Sequence, residues 1–158
     1  MHLIARNAIV AGLVMGLAMF SSAVWADPQN DDDGILTDAN YRAAEIKIKA
    51  GDFKAALVDL NNALAQYPSA AGIYSYIGFV MRKTGDKQQS MENYTKALSI
   101  DPAHRGALEY SGELYLELDN VAKAEEHLTK LDKLCTFGCN EYTDLKKAIE
   151  TYKAKKKS

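Results

Sequence analysis

GDKQQSMENYTKALSIDP, running from Gly85 to Pro102, decides the fold once it is set beside GDFKAALVDLNNALAQYP, from Gly51 to Pro68. Both open on the dipeptide Gly-Asp, both close on proline, and they stand 34 residues apart. Ala63 and Ala97 keep the same step, as do Gly78 and Gly112. A fixed period of this size marks stacked copies of one small supersecondary unit. A third copy follows in register, DNVAKAEEHLTKLDKLCT from Asp119 to Thr136. In it Asp119 stands where the glycine was, Leu131 at the small position and Thr136 at the proline.

Within the first copy Phe53, Ala56, Leu57, Leu60, Ala63 and Leu64 recur at the i, i+3, i+4, i+7 spacing of an amphipathic helix with one buried face. Proline then stops the helix. Upstream of each turn dipeptide the pattern predicts another helix, over 41–50, 73–84 and 107–118. Where two helices of a hairpin cross, the side chains at the contact set their separation, so Gly or Ala allows close approach. One such hairpin cannot bury its own apolar face, and the last copy needs a covering helix. Tyr142, Leu145, Ile149 and Tyr152 share one face of the segment 141–152, opposite Lys146, Lys147, Glu150 and Lys153. That segment is the predicted cap.

This arrangement resembles the tetratricopeptide repeat (TPR) family, whose pattern has a small residue and an aromatic in the first helix, then Ala, aromatic, Ala and Pro through the second. The middle copy carries Tyr74, Gly78, Ser90, Tyr94, Ala97 and Pro102 at those places; the first has Ala44, Ala56, Leu60, Ala63 and Pro68; the third has Gly112, Tyr115, Ala124 and Leu128. The resemblance implies an all-α, TPR-like α-solenoid of three helix-turn-helix repeats, 37–70, 71–104 and 105–138, with a capping helix and lysine-rich tail in 139–158. It also implies a concave groove, lined by the first helices, that holds a peptide or protein partner. Carried onto this chain, the groove is lined by Tyr41, Glu45 and Ile48 from the first repeat and by Ser75, Phe79 and Arg82 from the second. Glu109, Glu113 and Leu116 line it from the third, with Tyr76 and Tyr110 at its margin. The family's carboxylate clamp of two Lys, two Asn and an Arg is missing, because Asp38, Arg42, Tyr76, Gly106 and Tyr110 stand at the matching places. Mixed charge in this set predicts no simple preference for an acidic or a basic ligand.

The N-terminus, MHLIARNAIVAGLVMGLAMFSSAVWA, has one Arg near its start, an apolar run from Ala8 to Phe20 and the small-x-small pattern Val24-Trp25-Ala26. It reads as a secretory signal peptide over 1–26. The other reading is a retained membrane anchor, since Ala8 to Ala26 is uncharged. The acidic stretch 27–36 is expected to be a flexible lead-in. The expected location is the periplasm, with no membrane contact after cleavage. Beyond Ala26 there are 18 Lys and Arg against 21 Asp and Glu, because Arg6 leaves with the signal. A balance so close to neutral gives no reason to expect nucleic acid as a partner. The lysines at 153 and 155–157 complement the end of a helix dipole.

Both cysteines, Cys135 and Cys139, sit at the junction of the third repeat and the cap. In an exported chain an even count at close spacing favours a disulfide. Two other readings stay open: a thiol-redox pair, and a Cu(I) site with His127 as third ligand. No nucleophile elbow, phosphate loop or zinc-binding His-Glu-x-x-His run is present. Glu109 and Glu113, one helical turn apart, read as an ordinary exposed pair rather than acid–base machinery. The expected function is therefore that of an exported interaction module, an adaptor or assembly factor. It is not expected to be an enzyme and needs no cofactor or metal. The sequence sets no oligomeric state.

Overall fold

The computed structural model describes residues 32–157, and the expected signal peptide lies outside them. Among the described residues there are eight helices and no strand: α1 (Asp32–Ile35), α2 (Ala39–Lys49), α3 (Phe53–Gln66), α4 (Ala71–Thr84), α5 (Lys87–Ile100), α6 (Arg105–Glu117), α7 (Val121–Leu134) and α8 (Asn140–Lys157). None of these helices is long and apolar enough to cross a membrane. Three hairpins, α2–α3, α4–α5 and α6–α7, stack in order. Each second helix also packs on the first helix of the next unit, and α4 packs on α6 as α6 does on α8. The result is an all-α solenoid with one layer of first helices and one of second helices.

The turn that repeats is built by backbone. Gly51, Gly85 and Asp119 all take the left-handed conformation, with φ of 78°, 95° and 58°. The next residue caps the second helix through its side chain: Asp52 accepts from Ala55 N–H, Asp86 from Gln89 and Asn120 from Lys123. The N–H groups of those same capping residues donate back to the carbonyls of Lys47, Met81 and Tyr115, each five residues earlier and each 34 from the next. At the far end Tyr67, Asp101 and Cys135 donate to Ala63, Ala97 and Leu131 in the same register.

Small residues sit where the helices cross. Ala44, Ala56, Ala63, Ala97 and Ala124 are fully buried. A Cβ on Gly78 would stand 2.6 Å from two ring carbons of Tyr94, and one on Gly112 would stand 2.7 Å from the methyls of Leu145. Ser90 Oγ, at the small position of α5, donates to the Gly78 carbonyl at 2.8 Å. Two apolar clusters result. One joins the first repeat to α4 around Leu60, Ile73 and Val80; the other joins the third repeat to α8 around Leu108, Leu131, Leu145 and Ile149. Each large aliphatic side chain so buried contributes about 1.5–3 kcal/mol.

The third repeat is covered by α8. Leu131 occupies a position that is alanine in the first two repeats because there it fills the contact with the cap. Asp119 Oδ1 accepts from Tyr152 Oη and pairs with Lys156, both on α8. The lost glycine is thus a residue that keeps the turn and ties down the cap. Of the expected lead-in 27–36, residues 27–31 lie outside the described residues and 32–35 form α1. Ile35 is only 1% exposed and joins the first cluster.

Cys135 and Cys139 form a disulfide across Cα atoms 5.5 Å apart, with Gly138 at φ 85° letting the loop close between α7 and α8. Cys139 Sγ also accepts from the Tyr142 N–H in the first turn of α8. His127, weighed as a copper ligand, is 8% exposed between α6 and α7. Its Nδ1 lies 2.9 Å from Ser111 Oγ and 3.2 Å from the Leu108 carbonyl. The Leu108 carbonyl can only accept, so Nδ1 carries a proton. Burial lowers its pKa, and through Ser111 and Leu108 the ring links α7 to α6.

Candidate functional site

The first helices place their residues on one concave face in three rows that advance by 34. Tyr41, Ser75 and Glu109 form one row, Glu45, Phe79 and Glu113 the second, and Ile48, Arg82 and Leu116 the third. Continuing the same step once more lands on α8, where Lys147 extends the row of Glu113. Asp144 likewise continues the line of Tyr76 and Tyr110. The cap is therefore also the fourth wall of the groove.

These residues are not equally available. Tyr41, Ser75, Arg82 and Leu116 are buried, whereas Glu45, Ile48, Tyr76, Phe79, Glu109, Tyr110 and Glu113 are half-buried. Arg82, expected to face solvent, is 8% exposed. Its guanidinium reaches from α4 to α6, where Nη2 donates to Glu113 and Nη1 to Glu117 at 3.1 Å. Burial alone would pull its pKa down, but the two carboxylates more than restore it. Arg82 therefore fastens the second repeat to the third and is spent as a ligand group. With that cation neutralised, the face is acidic toward the start of α6 and α8, while Lys147 and Lys155 line it farther along α8.

An aromatic line crosses the face. The Phe79 ring lies between Phe53, 6.3 Å away centroid to centroid, and Tyr110, 4.9 Å away. Tyr76 sits against Tyr41 at 5.5 Å and its hydroxyl donates to Glu45 at 2.9 Å. Burial pushes the Tyr76 phenol above its ordinary value and raises Tyr110 to about 12. Both stay protonated donors across the physiological range.

Two recesses open beside this line. One, of about 580 Å³, lies between α6 and α8 and is lined by Glu113, Leu116, Asp144, Lys147 and Tyr152 among others. The second, of about 340 Å³, lies at the first turns of α4, α6 and α8, with Ser75, Tyr76, Gly106, Glu109, Glu141 and Asp144 in its walls. Burial, then the nearby charges of Glu113, Asp144 and Glu141, push Glu109 up to about 8. Glu109 and Glu113 are accordingly not an ordinary exposed pair. His104 caps α6 through Nδ1, accepting from the Ala107 N–H at 3.1 Å.

Glu117, Phe53, Glu141, Asp144 and Lys147 belong to the face although the family pattern does not point to them. Asp144 and Lys147 could have been found by extending the 34-residue step into the cap. Glu117 carried no periodic signal, and Glu141 and Phe53 enter through packing. Among the described residues, no group of three or more His, Cys, Asp or Glu side chains is arranged to hold a metal ion.

Family models described as tetratricopeptide repeat match residues 38–70 and 72–104. A probable biofilm formation methyltransferase, WspC, of Pseudomonas putida is 33% identical over 75 residues. That match takes in 48% of this chain but only 18% of the methyltransferase, so the chain spans under a fifth of that protein's length. Among solved structures, the type III secretion translocator chaperone SycD of Yersinia enterocolitica superposes with a TM-score of 0.64 at 17% identity. The superposition covers 80% of this chain and 96% of that one. Such low identity speaks for the fold alone. Two repeats matched by family models, the 34-residue backbone register and a shared helical stack agree: the chain belongs to the tetratricopeptide repeat family.

Proposed function

We propose that this chain is an exported, non-catalytic interaction module, an adaptor or assembly factor, that holds a segment of a partner protein against its concave face. The observation that carries the reading is the half-buried aromatic line of Phe53, Phe79 and Tyr110, flanked by two open recesses on a rigidly braced layer of helices. Aromatic side chains that keep one face toward solvent supply large contact area at low entropic cost and are the usual anchors of an interface. The fold supports the same class of function, since repeat stacks present an extended concave surface to a macromolecule. The chaperone description of SycD is consistent with a protein partner.

The disulfide between α7 and α8 fits an oxidising compartment, in keeping with cleavage after Ala26 and residence in the periplasm. Intact mass of the chain recovered from a periplasmic fraction tests this directly: the proposal needs a species beginning at Asp27 and lighter by two hydrogen atoms than its reduced form. Partner binding is tested by pull-down from the same fraction with mass spectrometry. The double substitution Phe79→Ala and Tyr110→Ala should abolish recovery of a discrete partner while leaving the helical circular dichroism intact. Undiminished recovery would remove the concave face from the account. Arg82 is unsuitable for this test, because replacing it unfastens two repeats.

A further inference from the structure

We propose that the recess at the first turns of α4, α6 and α8 is a subsite for an alkylammonium group, the side chain of a lysine in the bound polypeptide. The inference deepens the interaction reading above and rests on it.

Ser75 supplies the first observation. It is 2% exposed, and its Oγ has no hydrogen-bond partner. Helical serines and threonines in this chain normally satisfy themselves: Ser111 Oγ donates to the Ala107 carbonyl and Thr84 Oγ1 to that of Val80. Ser75 forgoes that bond and turns its hydroxyl across the recess toward α6, where the position of a Cβ on Gly106 would be 3.7 Å from Oγ. A buried hydroxyl without a partner is costly, and such a group marks a place where something else completes the bond.

Charge supplies the second. Glu109, Glu141 and Asp144 converge on the same space, and neither Lys nor Arg lines it. The cations nearby stand outside it: Arg82 serves Glu113 and Glu117, Arg105 Nε makes a long ion pair of 4.0 Å with Glu141, and Lys147 and Lys155 line the neighbouring recess between α6 and α8. Tyr76 Oη is spent on Glu45, and His104 Nδ1 on a backbone N–H. An ammonium has three donors and no acceptor, matching a hydroxyl oxygen and two carboxylates. The adjacent aromatic rings suit the alkyl stem.

Binding then has a pH signature. Glu109 faces Glu113 and Tyr110 on its own helix, Arg82 and Tyr76 from α4, Glu141, Asp144, Lys147 and Lys155 from α8, and His104 at the start of α6. An arriving cation favours its ionised form, so binding releases a proton and strengthens as pH rises from 6 to 8.

The test is a nitrogen-15 amide titration of the whole mature chain with the capped peptide Ac-Ala-Ala-Lys-Ala-Ala-NH2 and its norleucine twin. Saturable shifts of the Gly72, Ser75 and Gly106 amides are expected with the lysine peptide alone, weaker at pH 6 than at pH 8. Glu109→Gln should bind about tenfold more weakly and lose the pH dependence. Gly106→Ala is the second variant: its methyl meets nothing closer than 3.5 Å, so the fold is kept, but it fills the space over Ser75 and should also weaken binding. Equal shifts from the norleucine peptide, or undiminished affinity in both variants, would overturn the subsite. No shift with lysine while partner capture still depends on Phe79 and Tyr110 would sink the subsite and spare the interaction reading. Failure of both experiments would remove both.

Discussion

The contact between Gly78 and Tyr94 can be tested against a copy of itself inside the same chain. The equivalent pair in the first repeat, one 34-residue step earlier, is Ala44 and Leu60, and all four residues are buried. In Gly78→Ala the new methyl would stand 2.6 Å from two carbons of the Tyr94 ring, about 1 Å inside ordinary contact, and 3.2 Å from the Ser90 carbonyl. Overpacking of this kind costs about 1–3 kcal/mol. Replacing a helical glycine by alanine returns about 1 kcal/mol. The single variant should therefore lose about 1 kcal/mol. Tyr94→Leu removes a fully buried ring and should lose about 2 kcal/mol. In the double variant the methyl enters the space the ring has left, so the clash disappears and the helical gain remains. Its loss should be about 1 kcal/mol, where simple addition gives about 3. Urea unfolding followed by circular dichroism at 222 nm measures all four corners of the cycle. Additivity within about 0.5 kcal/mol would refute the claim that this crossing is set by the volume shared between the two side chains.

At the third turn, Asp119→Ala should be about 1 kcal/mol less stable than Asp119→Gly, because only glycine escapes the left-handed penalty at φ 58°; equal thermal unfolding of the two variants would contradict this. Either substitution should also speed hydrogen exchange in the last turns of α8, which lose the links to Tyr152 and Lys156. Replacing both Cys135 and Cys139 by Ser opens a five-residue ring and should lower stability by about 2 kcal/mol, with the concave face unchanged by amide chemical shifts. For Glu109, whose pKa rises on folding from 4.5 to about 8, the unfolded chain holds fewer protons than the native one between those values. Stability should accordingly fall as pH rises through that window, by on the order of 1 kcal/mol after solvent screening, and the fall should vanish in Glu109→Gln when melting is compared at pH 4.5 and pH 8.

The stack was legible because its determinants are local and repeated: a turn dipeptide, a helix cap, a small residue at each crossing and an apolar stripe. The candidate face came from the family resemblance, carried along the first helices at the same 34-residue step. Which residues on the face are free was not legible. Arg82 and Glu113 are 31 apart, and no spacing rule reveals that they meet; the ion pair arises from the pitch between repeats. Ser75 reads as a solvent-facing lining residue until packing closes over it. Asp144 and Lys147 were within reach of the ruler, but α8 reads first as a lid with an apolar underside, and its groove-facing edge goes unremarked. Ile35 was hidden by its acidic surroundings, although it is buried in the first apolar cluster.

The carbonyls of Lys47, Met81 and Tyr115 receive their bonds at identical intervals even though the third turn has no glycine and its helix no following proline. A joint specified by main-chain atoms is indifferent to much of the lettering that spells it. Substitutions can accumulate at such a joint without shifting the units it connects, so one copy is free to carry a residue with a local task, as Asp119 grips α8, while its neighbours stay in register. Resemblance in the alphabet and resemblance in the scaffold can then part company within a single chain.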